Sequence, residues 1–138
     1  MNRPTLFRLG SWLAVALWAG TVVLLSSLSG RTIEELNPFE LSDKVVHFLA
    51  FLVGGILLSL ALRGEVTWSW RRIALVAILA ISAFGALDEW HQLHTPYRTG
   101  ADPFDWLADT LGAITGAVVA SPIYARVSRR ARAAQTAD

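Results

Sequence analysis

The sequence predicts an all-α integral membrane protein built as a bundle of four transmembrane helices. Hydrophobic residues make up 54% of the 138-residue chain and charged residues only 17%, whereas soluble domains carry roughly a quarter charged residues. The hydrophobic residues form four continuous runs, each close to the roughly 20 residues that cross a bilayer as a helix. Such runs do not alternate as strands do, and a transmembrane barrel needs at least about eight strands. Helices therefore satisfy the backbone within lipid.

The sequence predicts four spans. They cover residues 9–28, 45–62, 73–92 and 103–124. The first could instead be a signal peptide, because small residues at 27–29 offer a cleavage point, although its apolar run is long and no A-x-A pattern follows. We predict a single domain over residues 1–125 and a basic cytoplasmic tail over residues 126–138.

Basic residues predict the orientation of the chain. With the N-terminus in the cytoplasm, nine lysines and arginines lie inside, and three lie outside: Arg31, Lys44 and Arg98. Because cytoplasmic loops carry an excess of positive charge, we predict that both termini are cytoplasmic, in a bacterial-type cytoplasmic (inner) membrane. The basic residues flank the spans and form no separate folded face, which argues against nucleic-acid binding.

Ionisable residues concentrate in the segment 88–109, which is extracytoplasmic in this orientation. A helix rise of about 1.5 Å per residue places His47, Asp88 and Asp109 about 24–26 Å from the cytoplasmic arginine of each helix. That depth is near the outer edge of a hydrocarbon layer about 30 Å thick. Charged groups within a membrane face the bundle interior or a water-filled cavity. We therefore expect these three side chains to converge on one outward-facing polar pocket.

Helical spacing extends this pocket on the second and fourth spans. Asp43 and His47 are four residues apart and share a helix face, with Lys44 beside them at the mouth. On the fourth span, Asp109 continues the face of Asp105 one turn deeper into the membrane.

The third span adds a polar stripe. Asp88, His91 and Gln92 stand at i, i+3 and i+4. Glu89 is offset by about 100° around the helix, so the spacing does not require it to join them. Asp102, which precedes Pro103, has the position of an N-cap for the fourth helix.

The motifs DKVVHFLAF at 43–51 and GALDEWHQLHTPYRTGADPFDWLADTLGAITG at 85–116 resemble those of the VanZ-like family. The family pattern has Asp-Lys-x-x-His, then Asp-Glu-x-x-Gln, an arginine, and Asp-x-x-Asp before a span rich in small residues. The matching positions are Asp43, Lys44, His47, Asp88, Glu89, Gln92, Arg98, Asp105 and Asp109. Many relatives carry asparagine at the last position, so a role there that needs a neutral amide is in doubt.

The resemblance implies an integral membrane protein of the cell envelope. The founding member of the family is associated with low-level resistance to the glycopeptide teicoplanin. Some relatives have been labelled phosphotransbutyrylases, but this chain has no room for a soluble acyl-phosphate site. The resemblance does not imply a particular reaction.

Three functional interpretations remain open. As an enzyme, the protein would act on a lipid headgroup or a lipid-linked cell-wall precursor, with proton transfer by two histidine–carboxylate pairs. The catalytic candidates are then His47, Asp88, His91 and Asp109, in which His91 would pair with Asp88. The substrate-binding candidates are Asp43, Lys44, Glu89, Gln92, Arg98 and Asp105, in which arginine and lysine would hold phosphate.

The other two interpretations use the same pocket without chemistry. The pocket could bind or shield a lipid-linked envelope component. Alternatively, its polar groups could form ion pairs that only lock the helices together, with Arg98 bridging Asp88, Asp105 or Asp109. We predict no cofactor. A divalent metal on His47, Asp88, His91 and Asp109 is a weaker alternative, because these ligand types are permissive and the histidines lack a HExxH spacing. The expected partner is a membrane lipid or lipid-linked precursor, and the sequence does not indicate an oligomeric state.

Overall fold

A computed structural model describes the backbone of residues 3–36 and 42–135 and the side chains of residues 5–36 and 42–124. Within these ranges the chain is helical, without β-strands. The helices are α1 (Arg3–Ser27), α2 (Gly30–Glu35), α3 (Asp43–Glu65), α4 (Trp70–Gln92) and α5 (Pro103–Gln135). All except α2 contain a segment long and apolar enough to cross a membrane. The predicted four-helix membrane fold is confirmed.

The helix boundaries extend the predicted spans at several ends. Helix α1 begins at Arg3 rather than at residue 9, and α3 begins at Asp43 and ends at Glu65. Helix α5 continues from the predicted fourth span into the basic tail and ends at Gln135. A hydropathy pattern finds only the part of a helix that lies in lipid, whereas the flanking residues of α5, rich in alanine and arginine, are good helix formers in water as well.

The second α-helix was not predicted. It is a six-residue helix in the connection between the first two spans, and the Ser29 hydroxyl caps it by accepting a hydrogen bond from the Thr32 N–H at 3.3 Å. The helix is too short and too polar to give a periodic signal in the sequence.

Helix α3 forms the centre of the bundle. It packs most extensively against α5, and also contacts α1 and α4. Glycine permits the close approach to α5: a Cβ atom added to Gly112 would lie 2.3 Å from the Phe48 carbonyl oxygen, and one added to Gly116 would lie 2.2 Å from that of Leu52. This small-residue spacing packs two backbones together inside a membrane.

The apolar core lies where α1, α3, α4 and α5 meet. It is built from Val22, Phe51, Ile81 and Ala113, with Trp18 and Phe84 packed against them. The rings of Trp18 and Phe51 meet edge to face, with centroids 5.8 Å apart, an arrangement favoured by the ring quadrupoles. Helix α1 is the least buried of the four spans.

The spans alternate in direction, so α1 and α4 end where α3 and α5 begin. We call this the 28–42/93–102 end, after its connections. The α4–α5 connection is hydrogen-bonded to the last turn of α1, because the Thr95 hydroxyl donates to the Ser26 carbonyl at 3.1 Å. At the opposite end, Arg8 and Glu65 form an ion pair between α1 and α3. The sequence-predicted polar residues gather at the 28–42/93–102 end.

Candidate functional site

Three buried side chains from three helices meet one to two turns from the 28–42/93–102 end. His47 on α3 is 8% exposed, Glu89 on α4 is 4% exposed, and Asp109 on α5 is fully buried. The His47 Nδ1 atom lies 2.9 Å from Asp109 Oδ1 in a hydrogen bond and 4.0 Å from Glu89 Oε1. We call His47, Glu89 and Asp109 the histidine–carboxylate cluster.

Local structure explains why Asp109 fits at this depth. Its carboxylate lies against Gly85 of α4, where an added Cβ atom would be only 2.7 Å from Asp109 Oδ2 and 3.1 Å from Phe51 Cε1. The missing side chain at position 85 therefore makes the space that the carboxylate occupies. Glu89, one turn further along α4, faces the same helix α5, and its Oε2 atom accepts a hydrogen bond from the Asp102 N–H at 2.9 Å.

A cavity of about 100 Å³ lies beside the cluster. His47, Asp43, Asp88, Gln92 and Arg98 contribute its polar wall. The remaining lining residues come mostly from the apolar faces of α1 and α3, with one from α2: Val22, Leu25, Ser26, Ile33, Val46, Ala50 and Phe51. A volume of this size holds roughly three water molecules, at about 30 Å³ each, or one small polar group of a larger ligand.

His47 connects the cluster to the cavity. Its Nδ1 atom is directed to Asp109, and its Nε2 atom lies 3.9 Å from Oδ1 of Asp43, a residue that also lines the cavity. The ring lies nearly parallel to that of Phe51, with centroids 6.4 Å apart. An imidazole held in this way has one nitrogen fixed by the protein and the other available for a ligand.

Asp88 and Glu89, neighbours on α4, point in different directions. Asp88 lines the cavity and accepts a hydrogen bond from the Gln92 amide at 2.8 Å, as their i, i+4 spacing allows. Glu89 points to α5 and belongs to the histidine–carboxylate cluster. The sequence spacing did not require Glu89 to take part in the site, and the structure makes it a central member.

The predicted pairing of His91 with Asp88 is not present. His91 is half-buried, and its Nε2 atom is 3.0 Å from the Ser27 hydroxyl of α1. The i, i+3 spacing puts the two residues on one side of α4, but α1 packs against that helix and offers His91 a nearer partner. His91 lies outside the cavity lining and links two helices.

One interpretation of the sequence had Arg98 bridging carboxylates, but the structure gives it other partners. Its guanidinium donates to the carbonyl oxygens of Leu25, at 3.0 Å, and Leu28, at 3.4 Å, and so caps the C-terminal end of α1. No carboxylate within the described ranges lies within 4.0 Å of it. Arg98 therefore brings to the cavity wall a guanidinium that forms no ion pair within 4.0 Å with a described acidic residue, although Asp43 and Asp88 line the same cavity.

Lys44 is occupied by two carboxylates. Its ammonium group lies 2.7 Å from Asp105 Oδ1 and 3.2 Å from Asp102 Oδ2, which ties the start of α3 to the start of α5. Asp102 caps α5, as predicted, because its Oδ1 atom accepts the Phe104 N–H at 2.8 Å. That hydrogen bond, with the Lys44 ammonium as a second cause, lowers the pKa of the Asp102 carboxyl below its ordinary value.

The sequence missed two kinds of contributor. Ser27 had been considered only as a small residue near a cleavage point, and Ser26 had not been considered. Ser26 lines the cavity and Ser27 contacts His91. The wall formed by Val22, Val46 and Phe51 has no polar signal in the sequence. An apolar residue on a membrane helix gives no sign of whether it faces lipid or a cavity.

These features define a multi-pass helical membrane protein with a buried histidine–carboxylate cluster behind a small cavity. The family model described as VanZ/LLP1 matches residues 7–125. The chain belongs to this family, which confirms the resemblance of the motifs. No curated protein sequence and no solved structure shows significant similarity to the chain.

Proposed function

We propose that the cavity binds the phosphate-bearing headgroup of an envelope lipid or lipid-linked cell-wall precursor, and that the protein acts on this headgroup. The observation that carries the proposal is that Arg98 and His47 line one cavity in a membrane-spanning bundle. Arginine presents several N–H donors in a planar fork that matches phosphate oxygens. No carboxylate in the described ranges lies within 4.0 Å of the Arg98 guanidinium.

The shape of the cavity supports a ligand that is partly polar and partly apolar. Five polar or charged side chains line the cavity with Ser26, and most of the remaining wall is hydrocarbon from α1 and α3. A lipid places a charged headgroup next to acyl chains and so offers both kinds of surface at once. A freely soluble, wholly polar metabolite would leave the apolar wall without a partner.

His47 is the group that would act on the headgroup. Asp109 holds Nδ1, and Nε2 lies on the side of the cavity-lining Asp43. Histidine at such a position contributes a hydrogen bond or a proton to the reacting oxygen, and a fixed ring orientation favours this transfer. Asp109 would serve as a positioning residue, because it reaches the ligand only through the imidazole.

The side of the membrane follows from the distribution of basic residues. With nine of the twelve lysines and arginines on the cytoplasmic side, the 28–42/93–102 end faces outward. The cavity then lies near the outer leaflet of a bacterial cytoplasmic membrane. A change in envelope lipids at this site would link the protein to glycopeptide (teicoplanin) tolerance, which is the role associated with the founding member of the family.

The experiment uses the full chain purified in a mild detergent and incubated with envelope lipid extract. Mass spectrometry would follow headgroup changes for the wild type, His47→Gln and Arg98→Gln. Two control variants change the same residue types elsewhere: His94→Gln, at an exposed histidine, and Arg71→Gln, at an exposed arginine on the other side of the bundle. We expect product with the wild type and both controls, and at least about a ten-fold loss, worth about 1.4 kcal/mol, with the two cavity variants.

Non-enzymatic binding is the second candidate, and the largely apolar cavity wall favours it. In that case a lipid would copurify unaltered with the wild type and be lost from Arg98→Gln, without any mass change on incubation. If no lipid copurifies and none is changed, while His47→Gln only lowers thermal stability, the site is structural and the proposal is wrong.

A further inference from the structure

Two oxygen atoms of the histidine–carboxylate cluster have no hydrogen-bond partner. Glu89 Oε1 and Asp109 Oδ2 are both inaccessible to solvent and unpaired. Their residues are 4% and 0% exposed. A buried carboxylate oxygen without a partner is costly, because it has lost its hydration and gained no donor in exchange. Two such atoms beside one histidine therefore need an explanation.

The charge around the cluster makes the cost larger. Glu89 and Asp109 sit at a depth where an ionised group facing hydrocarbon would be unfavourable. The nearest lysine, Lys44, is bound to Asp102 and Asp105. Arg98 donates to backbone carbonyls of α1. Within the described ranges, only His47 remains close enough to balance two carboxylates.

The three side chains have the geometry of a cation site. One ligand atom from each of His47, Glu89 and Asp109 can be chosen so that all three lie within 4.8 Å of one another. They come from α3, α4 and α5, so the helix packing itself holds them together. A second grouping, of Asp43, His47 and Asp105, is also close, but there Asp43 is exposed and Asp105 already accepts from Lys44.

We propose that His47 Nδ1, Glu89 and Asp109 bind one divalent first-row metal ion, such as Zn²⁺ or Mn²⁺. One imidazole and two carboxylates form a nitrogen–oxygen donor set that suits these ions. The ion would take the place of the Nδ1 proton, and its positive charge would balance the negative charge of both carboxylates. The sequence had suggested Asp88 and His91 as ligands, whereas the structure directs these two to Gln92 and Ser27.

A cation here would also change what the cavity presents to a ligand. With Nδ1 bound to metal, the neutral imidazole carries its proton on Nε2 and donates toward the cavity. The positive charge behind the ring would add to the attraction that Arg98 exerts on a phosphate oxygen and would offset the repulsion from nearby carboxylates. This biological role rests on the proposed headgroup binding, but metal occupancy does not depend on it and is measured separately.

The test measures metal content and thermal unfolding of the purified full-length chain. After treatment with EDTA and removal of the chelator, Zn²⁺ or Mn²⁺ is added, and bound metal is counted by inductively coupled plasma mass spectrometry. We expect one ion per chain and a metal-dependent rise in Tm for the wild type. Glu89→Gln and Asp109→Asn should each weaken binding by about a hundred-fold or more, since removal even of groups that only support a ligand costs 10–100-fold.

The control variant is Glu35→Gln, which removes an exposed carboxylate of α2 and should bind metal as the wild type does. The inference is overturned if the wild type binds no ion, or if Glu89→Gln and Asp109→Asn bind as tightly as the control; the carboxylates would then be shared-proton partners. Lipid content is measured on the same samples. Lipid without metal overturns this inference alone, and metal without lipid overturns the proposed headgroup binding alone.

Discussion

Gln92 is the donor that keeps the buried Asp88 carboxylate paired. Its amide lies 2.8 Å from Asp88 Oδ2, and both residues are buried. Gln92→Leu keeps a similar volume and removes the donor, so the carboxylate would lose its hydrogen bond to the protein. We expect a loss of about 1–3 kcal/mol in the free energy of unfolding, measured by thermal or denaturant unfolding in detergent.

The double variant Asp88→Leu/Gln92→Leu checks the cause of that loss. When both polar partners are replaced by apolar groups of similar shape, folding no longer buries a carboxylate that lacks a donor. We therefore expect the double variant to be more stable than Gln92→Leu alone, with a non-zero interaction energy in the double-mutant cycle. Strictly additive effects would contradict the assigned contact.

Asp102 should make the protein sensitive to acid. In the folded state its pKa is lowered below the ordinary value of 3.8, with the Phe104 N–H as the largest cause. The ionised carboxylate therefore stabilises the fold at pH values above 3.8. This stabilisation is lost as the pH falls through the folded pKa. Asparagine caps a helix about as well as aspartate, so Asp102→Asn mainly removes the charge that faces Lys44.

We expect Asp102→Asn to have a lower Tm than the wild type near pH 6. The difference should begin to shrink once the pH falls below the ordinary aspartate pKa of about 4, and it should disappear only below the lowered pKa of the folded state. Glu35→Gln, on the exposed face of α2, is the matched control for removal of one carboxylate. A difference in Tm that stays constant from pH 6 to pH 3 would show that charge is not involved.

The sequence predicts the depth of a site residue in the membrane and the helix face on which it lies. His47 and Asp109 were expected at one level, and they form a hydrogen bond. The partners of His91 and Glu89 were not predictable, because they depend on which neighbouring helix each face of α4 meets. Helical spacing orders side chains around one axis, but it does not say what packs against them.

At the scale of helices, the contact of α3 with α5 depends on glycine. An added Cβ atom at Gly116 would lie 2.2 Å from the Leu52 carbonyl oxygen and 2.9 Å from the Ile56 nitrogen, both backbone atoms that cannot rotate away. Gly116→Ala should therefore force the two helices apart and lower the free energy of unfolding by about 1–3 kcal/mol, as read from unfolding in detergent.

Gly10→Ala is the control for this substitution, since nothing lies within 4 Å of the added Cβ atom in α1. Alanine is favoured over glycine in a helix by up to about 1 kcal/mol, so this variant should be unchanged or slightly stabilised. Equal stability of Gly116→Ala and Gly10→Ala would show that the α3–α5 contact is looser than described.

The four spans themselves were predictable because continuous hydrophobic runs have few other uses. The order of packing was not. Helix α3 is central and α1 peripheral, although α1 has an equally long apolar run. Hydropathy measures the preference of a helix for lipid over water, and that preference is the same for a helix at the centre of the bundle as for one at its edge.

For the whole molecule, the orientation in the membrane is a prediction that cysteine labelling can test. The natural chain has no cysteine, so a single introduced thiol gives the only signal. Ser69→Cys and Thr99→Cys change exposed residues in connections at the two ends of the bundle. With the positive-inside orientation, a membrane-impermeant maleimide added to intact cells should label position 99 and leave position 69 unlabelled.

Permeabilised cells provide the control, because both thiols should then react equally. Labelling of position 69 alone in intact cells would place the cavity on the cytoplasmic side. That result would remove the link to the outer leaflet and to glycopeptide tolerance, but it would leave the histidine–carboxylate cluster unchanged.

The carboxylate of Asp109 fills the space left by the missing side chain of Gly85. The residue types that positions 85 and 109 can accept therefore depend on each other. A larger residue at 85 would collide with this carboxylate and force it to move, whereas a smaller side chain at 109 would leave room for it. As the sequence diverges, neither site can drift by itself. Related sequences with alanine or a bulkier residue at position 85 should carry a shorter side chain at position 109. An alignment of such sequences would show the two positions varying together.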